Sequence, residues 1–433
     1  MLEYLKLQKV GPSPEMEMEL GPRLNVITGD NGLGKTVLLD AAWFVLTRTW
    51  PLAWPGKGAV PTEQGAEIEW RERRGDAQAT CDAAFDFEES RWAHSFPREH
   101  AQFSEAGVFT LYARVDGGVS VSDPYRSGRD FELPFGQASF GPSSCFDLAP
   151  VEIWDGLDLE RNGKEYRVGE GLLRDWIRWA TDPNDASFDR LCRVLEALAP
   201  GEGIVPLKKW RRVFVDDARD VPLLQTPYGE VPIVHAAASL KRILGLAYVL
   251  VWAWREHLIA AELKKKPPLR SIVLLVDELE SHLHPRWQRR IAPALLTLGK
   301  ALEPDVQVQS IVTTHSPLVL ASLEPDFDEE SDRVFHLSLD QAQVSLRPLQ
   351  WAKQGDVTHW LVSEAFGLTQ GRSLEAERAI EAAEAWMRGD TSALPAGLAT
   401  QDAIDAELRR VLAGHDPFWP RWVVWAEQQG ERA

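Results

Sequence analysis

"VITGDNGLGKT", residues 26–36, is an apolar strand that runs into a glycine-rich turn and ends on Lys35 and Thr36. From Gly29 onward it fits the pattern G-x-x-x-x-G-K-[ST], whose backbone N–H groups converge on phosphate oxygens. The preceding "RLNVIT" predicts a buried strand, and "KTVLLDAAWFVLT" predicts a helix that begins near Lys35. The positive end of that helix favours bound phosphate. The stretch therefore predicts a phosphate-binding loop between a strand and a helix.

The residues of this turn predict how a nucleotide is held. We expect Lys35 to reach the β and γ phosphate oxygens and the Thr36 hydroxyl to ligate Mg²⁺. The expected cofactors are therefore ATP and Mg²⁺. The candidate nucleotide-binding residues are Gly29, Asp30, Asn31, Gly32, Leu33, Gly34, Lys35, Thr36 and Val37.

Two apolar segments in the second half of the chain end in polar residues suited to the same site. "SIVLLVDELESHLHP", residues 271–285, ends its apolar run at Asp277 and Glu278. We expect Asp277 to hold Mg²⁺ and Glu278 to polarise the attacking water, although two such acids could also cap the next helix. "VQSIVTTHSPLVL" then delivers His315, which as a neutral imidazole can hydrogen-bond the γ-phosphate or can be a core histidine.

Composition limits what surrounds this site. The 433 residues suffice for roughly two to three domains. A net charge of −18 argues against a surface that coats nucleic acid uniformly, but it allows a local basic patch. The three cysteines form no C-x-x-C pair, which favours neither a disulfide framework nor a zinc site and fits the reducing cytoplasm.

Membrane association and secretion are not expected. "MLEYLKLQKV" lacks the apolar run and cleavage site of a secretion signal. The longest apolar run, "ILGLAYVLVWAW" from Ile243, is shorter than the ~20 residues that a membrane span needs. We therefore expect it to be a core helix.

The chain divides by pattern into three parts. "GAEIEWRERRG", "TCDAAFDFEE" and "VFTLYARVDGGVSVSDP" predict antiparallel strands in the N-terminal third. Apolar spacing then predicts helices from about Trp154, and no heptad run is long enough for coiled-coil arms. We predict a discontinuous nucleotide-binding head (1–153 and 203–345), a helical insertion forming a lid (154–202) and a helical C-terminal region (346–433).

The order of these motifs resembles the ATP-binding-cassette (ABC) class, in particular its RecF-like and OLD-like heads. "VDELESHLHPRWQRRI", residues 276–291, and "THSPLVL", from Thr314, resemble the stand-alone ATPases of bacterial anti-phage defence loci, a group that includes the Septu ATPase. The resemblance covers about residues 1–345. It implies an α/β fold of the P-loop NTPase type, with the helical insertion and helical C-terminal region as additions.

The same resemblance implies partners and a mechanism. Members close a head-to-head homodimer around ATP, and the loop from Glu280 to Pro285 would meet the other subunit. A separately encoded nuclease, commonly of the HNH type, is the implied partner, and DNA would be met through that complex. OLD-type nucleases carry a Toprim domain, which starts with Glu-Gly, after the Thr-His strand. "WLVSEAFGL" around Glu364 lacks that glycine, so the chain is not expected to cut DNA itself. The alternatives are an ATP-bound structural or sensor module with little hydrolysis, and a RecF-like DNA-repair ATPase.

Two elements of the resemblance are altered or unplaced. "VHAAASLKRILGLAYVLVWAW", with its register set by Arg242, has Ala237 where the family's Ser-x-Gly signature has serine, and Ser239 where it has glycine. Ser239 is therefore the candidate contact to a nucleotide held by the other subunit, and slow hydrolysis is expected. Gln137 is the candidate for the metal-sensing glutamine of the class, or is a loop amide.

Four further features each have two interpretations. His282 and His284 could ligate a metal or form part of the interface. "LKKWRRV", residues 207–213, could contact phosphates or be a solvated strand edge. The acids between Glu324 and Asp332 are typical of a solvated loop. Trp419, Trp422 and Trp425 form a helical stripe that is either core or a surface for docking the partner.

Overall fold

The computed structural model describes residues 1–51, 61, 63–75, 77–95, 108–126, 145–161, 163–390 and 394–430. Gln137 lies outside these described residues. The chain forms two compact units, Met1–Gly355 and Asp356–Ala433. The boundary falls later than the predicted position 346, because the strand that ends at Pro348 still belongs to the first unit.

The described part of the first unit contains eighteen strands. They are β1 (Leu2–Gln8), β2 (Glu15–Glu19), β3 (Leu24–Gly29), β4 (Glu67–Arg74), β5 (Ala77–Asp86), β6 (Arg91–Ser95), β7 (Thr110–Ala113), β8 (Val119–Ser122), β9 (Cys145–Leu148), β10 (Leu157–Arg161), β11 (Lys164–Gly169), β12 (Val205–Arg212), β13 (Asp220–Thr226), β14 (Gly229–Pro232), β15 (Ser271–Val276), β16 (Gln307–Thr313), β17 (Asp332–Asp340) and β18 (Gln343–Pro348).

The helices of the same unit connect and cover these strands. They are α1 (Lys35–Thr47), α2 (Pro150–Asp155), α3 (Leu172–Thr181), α4 (Ser187–Leu198), α5 (Ala238–Leu263), α6 (Pro285–Leu302) and α7 (Pro317–Leu323). A 3₁₀ turn, Ile233–His235, precedes α5.

An eight-stranded sheet carries the predicted site. Its strand order is β18-β17-β3-β16-β15-β7-β8-β9, and the five strands from β17 to β7 run parallel. All six residues of β3 and five of the six in β15 are buried, as expected for parallel strands covered on both faces. The register pairs Val276 with Val312 and Val312 with Val26. The residues that follow β3, β15 and β16 therefore meet at one edge of the sheet.

A second sheet, of order β2-β1-β4-β5-β6, is antiparallel and shares a core with α1. Residues alternate between buried and less buried along β4, and Trp43, Phe44 and Trp70 lie in the shared core. The antiparallel pairing predicted for β4 and β5 is confirmed. The prediction for β7 is wrong in part: it pairs antiparallel with β8 but parallel with β15, and all four of its residues are buried.

The region from 154 to 202 is less helical than predicted. Before α3 and α4 it forms a two-stranded hairpin, β10 with β11, in which Arg161 pairs with Lys164. The Asn-Gly pair between these residues is the sequence signal for such a two-residue turn, and Gly163 has φ of +72°. Leucine and tryptophan at helical spacing after the hairpin, from Leu172 to Trp179, hid this signal.

Helix α5 is longer than its apolar run suggested. Its 26 residues satisfy by length and composition the requirement for crossing a membrane, the one helix to do so in the described part of the chain. Most of its apolar residues, including Leu244, Tyr248 and Trp254, are buried in the fold. The interpretation of the run as a core helix is therefore confirmed.

The second unit is helical, as predicted. It contains α8 (Val357–Leu361), α9 (Leu374–Arg388), α10 (Gln401–Val411) and α11 (Phe418–Gly430). Trp422 is 1% exposed in the core of this unit, and Trp419 and Trp425 pack against that core. The Trp422 indole Nε1 donates to Asp405 Oδ1 at 3.0 Å. The tryptophan stripe is therefore core rather than an open docking surface.

Candidate functional site

The turn between β3 and α1 has the backbone that its glycines predict. Gly29, Gly32 and Gly34 all have positive φ, at +134°, +78° and +97°. A Cβ at Gly29 would lie 2.2 Å from the Leu337 carbonyl oxygen, so the loop is packed where a side chain has no room. Helix α1 begins at Lys35, as expected. The loop and the positive end of this helix therefore have the form of a phosphate cradle.

Lys35 lies inside this cradle. Its ammonium Nζ donates to the carbonyl oxygens of Gly29 at 2.9 Å and of Asp30 at 2.7 Å. The residue is 6% exposed, and burial lowers the pKa of Lys35 more than the nearby carboxylates of Asp277 and Asp30 raise it. The single cation of the loop is thus positioned where phosphate oxygens would converge.

Asp277 joins the phosphate loop to the two strands behind it. Its Oδ2 accepts from the Thr36 hydroxyl at 2.9 Å, and its Oδ1 accepts from the Thr313 hydroxyl at 2.7 Å. Asp277 and Thr313 are buried, because β15 and β16 are inner strands of the sheet. The structure thus brings together Thr36 and Asp277, the two predicted metal-binding residues. Hydroxyl and carboxylate oxygens are the ligands that a hard cation such as Mg²⁺ prefers.

Glu278 lies beside this group in an unusual backbone conformation. Its φ is +49°, in the left-handed region that few residues other than glycine adopt. Its N–H donates to the Thr313 hydroxyl at 2.7 Å, and the next residue, Leu279, donates to the Thr313 carbonyl at 2.9 Å. These two bonds hold Glu278 at the strand end with its side chain half-buried. The cap interpretation is not favoured, because the imidazole of His284 caps α6 instead.

His315 and Glu280 form the far side of the same edge. Glu280 Oε1 accepts from the His315 backbone N–H and Oε2 from the Thr314 hydroxyl, both at 2.6 Å. His315 is half-buried rather than a core histidine. The contacts of Glu280 and Thr313 were not predicted from the sequence, although each is a polar residue at or just after the end of a buried strand.

The start of α5 is differently built. Ala237 is the N-cap residue and has no side chain that could bond the free N–H groups, and both Ala237 and Ala238 are exposed. Within the described residues Ser239 makes no hydrogen bond to the phosphate loop. One turn later, Arg242 donates to the carbonyl oxygens of Val115 at 3.1 Å and Asp277 at 3.5 Å. Burial lowers the pKa of Arg242, and the charge of Glu278 opposes this.

Charged side chains outside this edge of the sheet form ion pairs and hydrogen bonds with neighbouring residues. Lys209 pairs with Glu230 at 2.5 Å, and Arg212 donates to the Ala218 carbonyl at 2.8 Å, so "LKKWRRV" forms β12, an edge strand with partly neutralised charge. Asp332 is buried and accepts from Arg23 Nε at 2.8 Å, which corrects the expectation that the whole acidic segment is solvated. Among the described residues, no group of three or more His, Cys, Asp or Glu side chains is placed to hold a metal ion at His282 and His284.

The fold and this site define the class of protein. The chain has a P-loop NTPase fold of the ABC type. Its largely parallel sheet contains a strand–glycine-turn–helix unit, an Asp-Glu strand, and a Thr-His strand that lies between them. A family model described as "AAA domain, putative AbiEii toxin, Type IV TA system" matches residues 256–321, which span β15, α6, β16 and most of α7.

Curated relatives agree with this class. "Retron Vc95 probable ATPase" of Vibrio cholerae serotype O1 biovar El Tor is 29% identical over 119 residues, which are 26% of this chain and 22% of that protein. "Retron Ec83 probable ATPase" of Escherichia coli is 30% identical over 202 residues, 46% of this chain and 32% of that protein. "Septu protein PtuA" of Bacillus thuringiensis is 31% identical over 105 residues, 23% of this chain and 24% of that protein. The predicted resemblance to Septu-like stand-alone ATPases is confirmed, and the chain spans about a fifth to a third of the length of these relatives.

Among solved structures, the chain is similar to the SMC head domain from Thermotoga maritima. It has a TM-score of 0.42 and 14% identity, and the match covers 81% of this chain and 99% of that one. The recombination mediator protein RecF has a TM-score of 0.40 and 13% identity, over 80% of this chain and 98% of that one.

Proposed function

We propose that this chain binds ATP with Mg²⁺ and hydrolyses it. The observation that carries the proposal is the chain of contacts from Thr36 through Asp277 to Thr313, beside the buried ammonium of Lys35. These groups come from three different strand ends, and each is of the chemical type that phosphoryl transfer requires. The names of the retron relatives support the same activity.

Each residue has a distinct task in this proposal. The loop from Gly29 to Val37 surrounds the phosphates with N–H groups, and Lys35 faces the β and γ oxygens. Thr36 and Asp277 hold Mg²⁺, which when bound neutralises phosphate charge. Glu278 orients and polarises the attacking water. His315 donates to the γ-phosphate and so distinguishes ATP from ADP.

The chain's proposed cellular role is defence. We infer that ATP closes a head-to-head homodimer in the cytoplasm, with Ser239 at the start of α5 facing the partner's nucleotide, and that the dimer controls a separately encoded nuclease. The similarity to the Septu protein supports this role, and Asp356–Ala433 is the candidate docking unit. DNA would be bound through the complex. Copurification with the product of the adjacent reading frame tests for this partner. Failure of the two proteins to copurify would contradict the proposed partner.

A second candidate function is an ATP-bound sensor that hydrolyses little. The observation in its favour is Ala237, which leaves the first turn of α5 without a side-chain cap. Helix N–H groups and the helix dipole still favour a phosphate there, but one hydroxyl donor is missing. A RecF-like repair ATPase is a weaker candidate, because the similarity to RecF is one of fold.

Steady-state hydrolysis tests the main proposal. We expect Mg²⁺-dependent release of phosphate from ATP that EDTA abolishes and that Asp277→Asn lowers at least ~100-fold. Asp340→Asn is the matched control, because Asp340 is an exposed carboxylate at the end of another strand of the same sheet. Tight MgATP binding without turnover would favour the sensor. Turnover unchanged in Asp277→Asn would contradict the assigned site.

A further inference from the structure

Glu280 connects two segments that have different proposed roles. It belongs to the loop between β15 and α6, and its two carboxylate oxygens accept from the segment that follows β16. Oε1 bonds the backbone N–H of His315 and Oε2 bonds the hydroxyl of Thr314, each at 2.6 Å. A carboxylate that accepts two such bonds is a stronger and more directional tie than a neutral pair.

The loop that carries Glu280 is internally tied. The Ser281 N–H donates to the Glu278 carbonyl at 2.8 Å, and the Leu283 N–H donates to the Glu280 carbonyl at 2.9 Å. His282 has φ of +62°, in the left-handed region that few residues other than glycine adopt. Because these backbone hydrogen bonds constrain the loop, we expect a displacement of residues 281–285 to move the Glu280 carboxylate as well.

A second contact supports the same connection. The Ser316 hydroxyl donates to Gln288 Oε1 at 2.7 Å, and Gln288 lies in the first turn of α6. The Gln288 amide in turn donates to the Leu283 carbonyl at 3.0 Å. The His315 segment is thus bonded on both sides to the loop and helix that follow Glu278.

We propose that Glu280 is a positioning residue that fixes His315 and couples its position to the loop from Glu280 to Pro285. The proposal rests on the proposed ATPase function, in which His315 faces the γ-phosphate and this loop faces the second subunit. Closure against a second copy would then move or fix His315 through one carboxylate. In this way turnover would depend on dimer closure even if the loop from Glu280 to Pro285 made no contact of its own with the nucleotide.

Two variants of Glu280 separate positioning from charge. Glu280→Ala removes both acceptors and leaves the His315 N–H unpaired, so turnover should fall about 10- to 100-fold while MgATP affinity changes less than about threefold. Glu280→Gln keeps an acceptor for the His315 N–H and a donor that the Thr314 hydroxyl can accept, so it should recover turnover to within about threefold of wild type. Glu303→Ala is the control, because Glu303 is also half-buried and bonded, to Arg190, away from the site.

A double-mutant cycle with His315→Ala gives the test that a merely structural role would not pass. If Glu280 acts through His315, Glu280→Ala should lower turnover less than about threefold further in the His315→Ala background. Additive losses in the double variant would overturn the proposal. Equal losses for Glu280→Ala and Glu303→Ala would overturn it too.

Hydrogen exchange keeps this test separate from the ATPase proposal. The amide of His315 should exchange slowly in wild type and in Glu280→Gln, and at least ~10-fold faster in Glu280→Ala. If wild type binds MgATP without hydrolysing it, the ATPase proposal fails, and the coupling is then measured as nucleotide-induced protection of the amide at position 315 from exchange. A fast-exchanging His315 amide in wild type, or nucleotide protection unchanged in Glu280→Ala, contradicts the coupling alone.

Discussion

Two parts of the proposed nucleotide site are built in opposite ways. At the strand ends, Thr36, Asp277 and Thr313 are joined by side-chain hydrogen bonds in a buried setting. At the start of α5, Ala237 and Ala238 are exposed and offer backbone N–H groups alone. The first part is assembled within one chain. In the proposed homodimer, the second part would act on a nucleotide held by the second copy.

This contrast predicts a division between binding and turnover. Groups at the strand ends should control whether MgATP binds and whether water is activated, so their loss should be severe. The start of α5 should control how often the closed dimer reaches the reactive geometry, so changes there should be modest. Three experiments test this division and a fourth tests how α5 is anchored, ordered from the largest expected effect to the smallest.

Lys35→Ala should have the largest effect. Loss of the buried ammonium that faces the phosphates should lower MgATP affinity at least ~100-fold and abolish turnover. Isothermal titration of a folded variant measures this. Lys300→Ala, at an exposed lysine near the end of α6, is the control for removal of a positive charge. Wild-type ATP affinity in Lys35→Ala would show that the groups at the strand ends do not control the binding of MgATP.

Glu278→Gln should separate turnover from binding. The amide cannot accept a proton from water, so hydrolysis should fall about 100-fold or more while MgATP stays bound. A closed dimer should then accumulate, which sedimentation with and without ATP detects. Wild-type turnover in this variant would show that Glu278 is not the base, and a monomer saturated with ATP would contradict the proposed homodimer.

The prediction for Asp175 concerns how α5 is anchored. Asp175 Oδ2 accepts from the Tyr248 hydroxyl of α5 at 2.8 Å, and burial raises the pKa of Asp175 to about 6. The folded state therefore holds this proton more tightly than the unfolded state, and stability present at pH 4 is lost as the pH rises through 6. The expected loss is roughly 2–3 kcal/mol of unfolding free energy.

Asp175→Asn should remove this pH dependence. Thermal unfolding should show the variant gaining on wild type between pH 4 and pH 8, by roughly 2–3 kcal/mol of unfolding free energy. Asp185→Asn is the matched control: burial raises the pKa of Asp185, but bonds from Ser187 and Arg255 outweigh this and lower it overall. That variant should be destabilised at pH 7 and should approach wild type in acid. Parallel pH profiles for wild type and Asp175→Asn would contradict the buried-acid account.

Whether the sequence predicts a feature of this molecule depends on how far apart in the chain the residues that form it lie. The phosphate loop could be predicted because its strand, turn and helix are contiguous, and β15 and β16 because they are apolar runs. The bond from Thr313 to Asp277 could not, since it depends on which strands become neighbours in the sheet. The hairpin of β10 and β11 was missed because the helical spacing that follows it outweighed one turn signal.

Restoring the signature should have the smallest effect and decides between the two functions. Ala237 is the N-cap of α5, where a serine could bond a free N–H of the first turn or a partner's phosphate. Ser239 adds a side chain where close approach of the backbone would favour glycine. The helix end itself remains, so wild-type hydrolysis should be slow rather than absent.

Ala237→Ser with Ser239→Gly should therefore raise turnover about 3- to 10-fold and strengthen ATP-dependent dimerisation, with little change in ATP affinity of the monomer. The two single variants separate the parts: serine at 237 should act on the rate, and glycine at 239 on the approach of the second copy. Glycine inside the first turn costs up to roughly 1 kcal/mol of helix stability, so thermal unfolding is measured beside turnover. Unchanged rate and unchanged dimerisation in a stably folded double variant would mean that the start of α5 does not face a nucleotide, and the sensor function would then need a different explanation for slow hydrolysis.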